Sequence, residues 1–225
     1  MTEEPHQSFH APFLDWIGDS PRTAGLSDLI RLLGSDSVYF IGGAVRDYLL
    51  GSPTDAVRDV DLLYDGRIDR VRHLLERRHE VTRTRFGNPS VRLGEHLYVD
   101  VFPPATPFGE PVPLPEAPLY CDTTVNAIAL NAAHGRVLDP TGGLRDLRGR
   151  RTRLLPLGWA ADATTQAHLL AKVVTLSRRH NLSYVDLHIA DSAADRLRAS
   201  SFDDEVSRHV QTYTDWRDGA CVEAP

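Results

Sequence analysis

Asp59-Val60-Asp61 and the glycine pair Gly42-Gly43 are the residues whose types and spacing could do chemistry. Side chains alternate faces along a strand, so Asp59 and Asp61 project to one side while Val60 and Leu62 turn into the core. Two carboxylates held so close repel unless a cation lies between them. Hard oxygen ligands of this kind suit Mg²⁺, commonly held by one or two carboxylates together with substrate phosphates. A bare Asp-x-Asp is more often a solvated acidic edge, so a second element has to decide. In Ile41-Gly42-Gly43-Ala44-Val45-Arg46-Asp47 a strand ends in two glycines and opens a helix. That leaves backbone N–H groups at the helix start and room for a phosphate to approach. Arg46, one turn on, would add a charge-assisted contact. Alone, such a glycine pair is more often a tight turn; beside Asp59 and Asp61 the phosphate-and-metal reading becomes the better one. Asp100, in Leu97-Tyr98-Val99-Asp100-Val101-Phe102, is a third strand carboxylate, with metal ligand, base, and solvent-facing edge charge as its alternatives.

These residues must be positioned by regular elements, and the pattern supplies them. A helix is expected over 27–34, with Ser27 as N-cap, followed by a buried strand Val38-Tyr39-Phe40-Ile41 and a helix from Ala44 to Leu50 closed by Gly51. Asp59–Tyr64 reads as a strand, and Ile68–Arg78 as a helix with Ile68, Val71, Leu74 and Leu75 at helical spacing. Strands are expected over Val81–Thr84, Ser90–Leu93 and His96–Phe102, then a loop over Pro103–Pro118, which holds seven prolines. Thr123–Ala133 reads as a helix and Val137-Leu138 as a short strand. Beyond about Trp159 only helices are expected. The division this implies is a head over 1–157, its first ~25 residues an extension, and a helical region over 158–225.

Composition narrows the class. The net charge is −6, and no basic stripe runs along the chain, so extensive duplex binding is not favoured. Cys121 and Cys221 stand far apart in no metal-ligand spacing, which suits a reduced, cytoplasmic setting. No apolar stretch approaches the ~20 residues needed to span a bilayer, and the start of the chain lacks a signal-peptide core. Lys172 is the sole lysine, the imprint expected of a GC-rich genome. His10, His73, His79, His96 and His134 show no metal spacing.

The segment IGGAVRDYLLG…RDVDLL resembles the opening motif of the tRNA nucleotidyltransferase and poly(A) polymerase family, a branch of the polymerase-β-like nucleotidyltransferases. CDTTVNAIAL and LDPTGGLRDLRGRRTRLL are similar to its later motifs, and the likeness runs in order from Val38 to Leu155. The resemblance implies an α+β fold, a polymerase-β-like head of mixed sheet and flanking helices followed by a small all-α region. It implies that Gly42, Gly43 and Arg46 hold a nucleoside triphosphate. Asp59 and Asp61 would bind two Mg²⁺, with Mn²⁺ as the alternative ion, and Asp122 and Asn126 would contact the ribose. Asp47, Asp139 and Gly143 look structural by the same resemblance.

The sequence also departs from the family. Tyr120-Cys121 replaces an Arg-Arg pair, and the neck motif Glu-Asp-x-x-Arg has lost its base-reading arginine. Aligning on Asp162 puts Thr165 at that position; aligning on Leu169-Leu170 puts His168 there, which makes His168 a candidate nucleotide-binding residue. The chain stops soon after the head, without the helical body that grips tRNA in the family. The expectation is therefore transfer of a nucleotidyl group from an NTP to a small-molecule acceptor, with extensive tRNA binding not expected. RNA 3′-end addition with a partner protein, and a silent nucleotide-binding module, stand as alternatives.

Overall fold

The computed structural model describes residues 10–220, apart from 96, 161 and 201; the expectation for His96 lies outside them. In chain order the helices and strands are α1 (His10–Gly18), α2 (Leu26–Leu33), β1 (Val38–Ile41), α3 (Gly43–Leu49), β2 (Asp59–Tyr64), α4 (Ile68–Glu76), β3 (Glu80–Arg83), β4 (Pro89–Leu93) and β5 (Leu97–Phe102). There follow β6 (Ala129–Asn131), β7 (Val137–Leu138), α5 (Gly143–Arg148), β8 (Arg151–Thr152), α6 (Ala163–His180), β9 (Ser183–Tyr184), α7 (His188–Arg198) and α8 (Asp204–Ala220).

Seven strands form one mixed sheet in the order β3-β4-β5-β2-β1-β6-β7, in which only the β2–β5 pairing is parallel. The α+β class expected from the motifs is what the chain adopts. Period-two alternation divides the central strands between two faces. Val38, Phe40, Val60, Leu62, Val99 and Val101 enter the main core. Tyr39, Ile41 and Leu63 turn to the opposite face, where they meet Ala117 under the proline-rich segment. Asp59, Asp61 and Asp100 belong to that second face by the same alternation, so the acids stand where the sheet is only partly covered. Among the described residues no helix is long and apolar enough to cross a membrane.

Four expectations change. Residues 10–25 are not an appendage: α1 buries Phe13 and Ile17 in the main core, and the Phe13 ring lies 4.8 Å from Phe40 and 5.2 Å from Tyr48. Thr123–Ala133 is not a helix but a 3-10 turn over Thr124–Asn126 leading into β6. Its run of small and branched apolar residues fits an edge-to-core strand pairing with β1 better than a helix, since Ala129, Leu130 and Asn131 are all buried. Helix α2 starts at Leu26, with Gly25 rather than Ser27 at its N-cap. And the segment beyond Trp159 holds one strand, β9, which pairs in parallel with β8; two residues are too few to leave a periodic signal.

Helices α6, α7 and α8 share their own apolar cluster, with Tyr213, Ala167 and Leu170 fully buried, and Leu154 and Trp159 complete it. The α6–β9 link nevertheless reaches back, because Leu182 sits in the main core.

Phe13→Ala should cost about 3–5 kcal/mol of unfolding free energy in urea titrations, the usual loss for a fully buried phenyl ring; a loss under about 0.5 kcal/mol would return α1 to the status of an appendage.

Candidate active site

The register of three strands assembles the acids. Ile41 pairs with Asp61 across β1–β2, and Asp61 pairs with Asp100 across the parallel β2–β5 ladder. Adjacent strands lie ~4.8 Å apart, so two carboxylates side by side on one face repel. Burial, joined by Asp100, Asp59 and Asp122, pushes the Asp61 carboxyl up to about 6 against the opposing pull of Lys172. Burial also raises Asp100, with Asp59 adding to it and the Ser90 hydrogen bond opposing. Crowding of this kind, on a face open to a cavity, is the donor set a hard divalent cation fits.

Gly42 is required beside them. It has φ 76°, a conformation side chains rarely adopt, and a Cβ there would lie 2.7 Å from Asp61 Oδ2. Its N–H is not free for phosphate, because it donates to the Asn126 carbonyl at 3.1 Å. The pair of glycines therefore gives space first, with only the Gly43 end opening the helix.

Arg46 is placed differently from expectation. Its guanidinium is buried, donating to Asp47 Oδ1 from Nε at 2.8 Å and from Nη2 at 2.6 Å, and to Asn126 Oδ1 at 2.7 Å. It lies under the glycine loop, Nη2 being 3.4 Å from where a Gly43 Cβ would be. A guanidinium committed to two partners in the interior braces the loop rather than reaching over it. Asp47 in turn faces α6, with His180 Nε2 at 3.4 Å from its Oδ1. Asp139 caps α5 by accepting from Gly143 N at 2.6 Å and Leu144 N at 3.0 Å, and a Cβ on Gly143 would strike the Thr124 carbonyl at 2.1 Å, so both are architectural.

Asp122 is the junction. Its carboxylate accepts from Asn126 Nδ2 at 2.8 Å and pairs with Lys172 Nζ at 2.7 Å; its carbonyl accepts from Leu155 N at 2.9 Å and Trp159 Nε1 at 3.1 Å. Burial alone would raise its carboxyl, but Lys172, Asn126 and Arg46 outweigh burial and hold it below the usual range. For Lys172 the desolvation of the enclosing cleft works against the charge, and Asp122 with Asp61 more than restores it. The Cys121 thiol beside them is pushed far up by burial and the Asp122 charge, so it stays protonated.

These groups open on a cavity of about 820 Å³ whose floor holds Gly42, Asp61, Asp100, Asp122 and Asn126. The α6 face carrying Thr165, Leu169 and Lys172 forms one wall, and the β3–β4 turn with Arg85 and Phe86 faces it. Asp59 is exposed at the rim of the same sheet face. His168 does not join this group: it points to α8, with Nε2 3.3 Å from Glu205 Oε1 and its ring 5.0 Å from His209. At helical spacing Thr165, Leu169 and Lys172 share one narrow face and residue 168 lies outside it, so the alignment on Asp162 is the one that the geometry satisfies.

Two residues escaped sequence reasoning. Lys172 carried a signal, since it is the only lysine of the chain, but it was read as composition. Arg85 carried none, because nothing in Thr84-Arg85-Phe86-Gly87 marks which way the turn points.

Comparison with known proteins agrees with this fold. Residues 38–101 match the model of the poly A polymerase head domain. An A-adding tRNA nucleotidyltransferase of Aquifex aeolicus is 34% identical over 140 residues, 55% of this chain and 16% of that protein. The chain thus spans less than a third of the curated relatives it matches. Among solved structures, a tRNA nucleotidyltransferase complexed with a primer tRNA and an incoming ATP analog is 25% identical with a TM-score of 0.57, covering 80% of this chain and 57% of the other. The Thermotoga maritima CCA-adding enzyme complexed with tRNA shares the fold at 22% identity, with a TM-score of 0.61 and coverage of 83% and 46%. These relatives and neighbours, named for tRNA, run against the expectation that extensive tRNA binding is unlikely, and they lend no support to a small-molecule acceptor. A whole-chain charge of −6 is a poor guide here: its acids are partly those of the cavity, and holding one RNA end needs far fewer phosphate contacts than gripping a duplex.

Because the fold holds Asp61 at about 6 against an ordinary 3.8, ionising it opposes folding. Its contribution is fully present below about pH 4 and is lost as pH rises through 6. Asp61→Asn should leave stability at pH 4 unchanged and raise it at pH 8, by up to about 3 kcal/mol in metal-free urea titrations; no gain at pH 8 contradicts the crowding. His168→Ala should leave the relative affinities for the four NTPs unaltered in equilibrium binding, and a changed ranking would put His168 back in the site.

Proposed function

We propose that this chain, which belongs through its head to the tRNA nucleotidyltransferase and poly(A) polymerase family, transfers nucleotidyl groups from an NTP to an RNA 3′ end. The observation that carries the reading is the convergence of Asp59, Asp61 and Asp100 on one sheet face, with Asp61 and Asp100 beside Gly42 at the floor of a nucleotide-sized cavity and Asp59 at its rim. The named activities of the relatives, tRNA 3′-end addition among them, support the RNA end as acceptor.

In this reading Asp59 and Asp61 hold Mg²⁺. The ion, when bound, would neutralise phosphate charge and lower the cost of ionising the attacking hydroxyl. The residues of the chain do the rest. Asp100, its affinity for a proton raised by burial, is suited to take the proton from the RNA 3′ hydroxyl. The new bond joins that oxygen to the α-phosphorus, and the bond to the β-phosphate oxygen breaks, releasing pyrophosphate. Lys172 lies at the same end of the cavity, its charge secured by Asp122 and Asp61, and offers a cation to the triphosphate. Asn126, fixed by Arg46 and Asp122, presents a polar edge at the floor where a ribose would rest. Arg46 positions this floor from beneath. The division into a head over 1–157 and a helical region over 158–225 fits the reading, with α6 closing one wall of the cavity. The protein and its RNA would meet at the cavity mouth, where Tyr120 and Cys121 replace two basic residues of the family.

The test is extension of a tRNA transcript lacking its 3′-terminal nucleotides, with each NTP and Mg²⁺, resolved on a sequencing gel. Extension by one or more nucleotides is expected, falling at least 100-fold in Asp61→Asn, within the range in which lost electrostatic stabilisation is usually felt. Extension that persists in the variant, or none with any NTP, contradicts the proposal.

A further inference from the structure

The missing arginine of the neck has a counterpart in space. Where the family pattern places an arginine three residues after its aspartate, this chain has Asp162 and Thr165. Asp162 caps α6, accepting from Thr165 N at 3.1 Å and Thr165 Oγ1 at 2.6 Å. Across the cavity, Arg85 of the β3–β4 turn reaches the same point and donates from Nη2 to Thr165 Oγ1. A guanidinium therefore stands where the neck would have carried one, delivered from the head.

Its distance from the acids fits a nucleotide. Thr165, Leu169 and Lys172 line the cavity along one face of α6. Seven residues of helix separate the two ends, about 10 Å at the usual rise. At one end Lys172 pairs with Asp122 near Asp61; at the other is Arg85. The span from an α-phosphate to the base it carries is of that order, so a triphosphate anchored at the acids would put its base against the β3–β4 turn. The turn is built to meet it. Phe86 is 56% exposed, and Arg85 Cζ lies 4.6 Å from its centroid. The exposed ring offers a stacking face, and the guanidinium, a donor with no acceptor, addresses ring nitrogens or carbonyl oxygens of a base edge. Thr165, short and hydroxylated, holds the guanidinium without filling the space that the neck arginine would occupy.

The geometry points to Arg85 and Phe86 as the base subsite of the cavity, with Thr165 as the residue that positions Arg85. The ligand class is the nucleobase of an incoming nucleoside triphosphate. This rests on the proposed NTP site, but not on transfer to RNA.

Equilibrium binding to the full chain tests it, by calorimetry with Mg²⁺ and, separately, ATP, CTP, GTP, UTP and inorganic tripolyphosphate, which has phosphates and no base. Arg85→Ala should weaken the tightest NTP about tenfold and flatten the ranking of the four, leaving tripolyphosphate unchanged. The double variant R85A/T165R, which returns the guanidinium to the helix, should recover most of the lost affinity. Thermal melts of R85A matching the parent exclude a folding defect, since the residue lies on an exposed turn. Unchanged NTP affinities in R85A, an equal loss for tripolyphosphate, or no NTP binding by the parent overturns the base subsite. If R85A behaves as expected while the parent extends no RNA, the base subsite stands and the transfer reading falls.

Discussion

Asp122 is the constraint on which the rest of the site depends. Its carboxylate joins Lys172 of α6 to Asn126 of the head, and its carbonyl accepts from Leu155 and Trp159 at the entry to the helical region. A partly enclosed ion pair of this kind gives little net stability, but losing one partner leaves the other charge in a poorly solvated place. The arrangement therefore fixes position more than it adds stability. Through Asn126 it reaches Arg46 and the glycine loop, and through Lys172 it sets α6 against the sheet. Gly158, whose Cβ would lie 2.0 Å from the Cys121 carbonyl, shows how closely the chain is drawn in at this joint.

Around that joint the charges are distributed unevenly. Three carboxylates share one sheet face, and the cations lining the same cavity come from elsewhere: Lys172 from a helix near Asp61, and Arg85 from a turn at the far end. Arg46 is turned inward, with three of its five N–H donors held by Asp47 and Asn126. The result is an acidic floor that calls for a divalent cation and a wall with one cation near each end. A triphosphate with its metal complements the first, and a base complements the second. The backbone serves the same end, since Gly42 leaves room for the Asp61 carboxylate by having no side chain of its own.

The sheet face and the floor were legible because short-range rules govern them. Alternation placed Asp59 and Asp61 together on the face opposite Val60 and Leu62, and the motif order implied the polymerase-β-like head; that Asp100 joins them is set by the β2–β5 register. What the sequence concealed depends on contacts between distant segments. Whether Arg46 faces phosphate or interior is decided by Asn126, eighty residues away. Thr123–Ala133 read as a helix, yet an edge of β1 was available to pair, and pairing won. His168 and Thr165 were indistinguishable by alignment until the helix face was known. The expectation against extensive tRNA binding failed for another reason: a summed charge reports neither where acids sit nor how small an RNA surface needs to be held.

Transfer of label separates the account from its competitors most directly. The protein is incubated with Mg²⁺, a tRNA transcript lacking its 3′ end, and the same NTP labelled either at the α- or at the γ-phosphorus. The account predicts that the α-label becomes covalently attached to the RNA and that the γ-label leaves entirely as pyrophosphate. Label transferred from the γ-position, or no label on RNA from either, would contradict it.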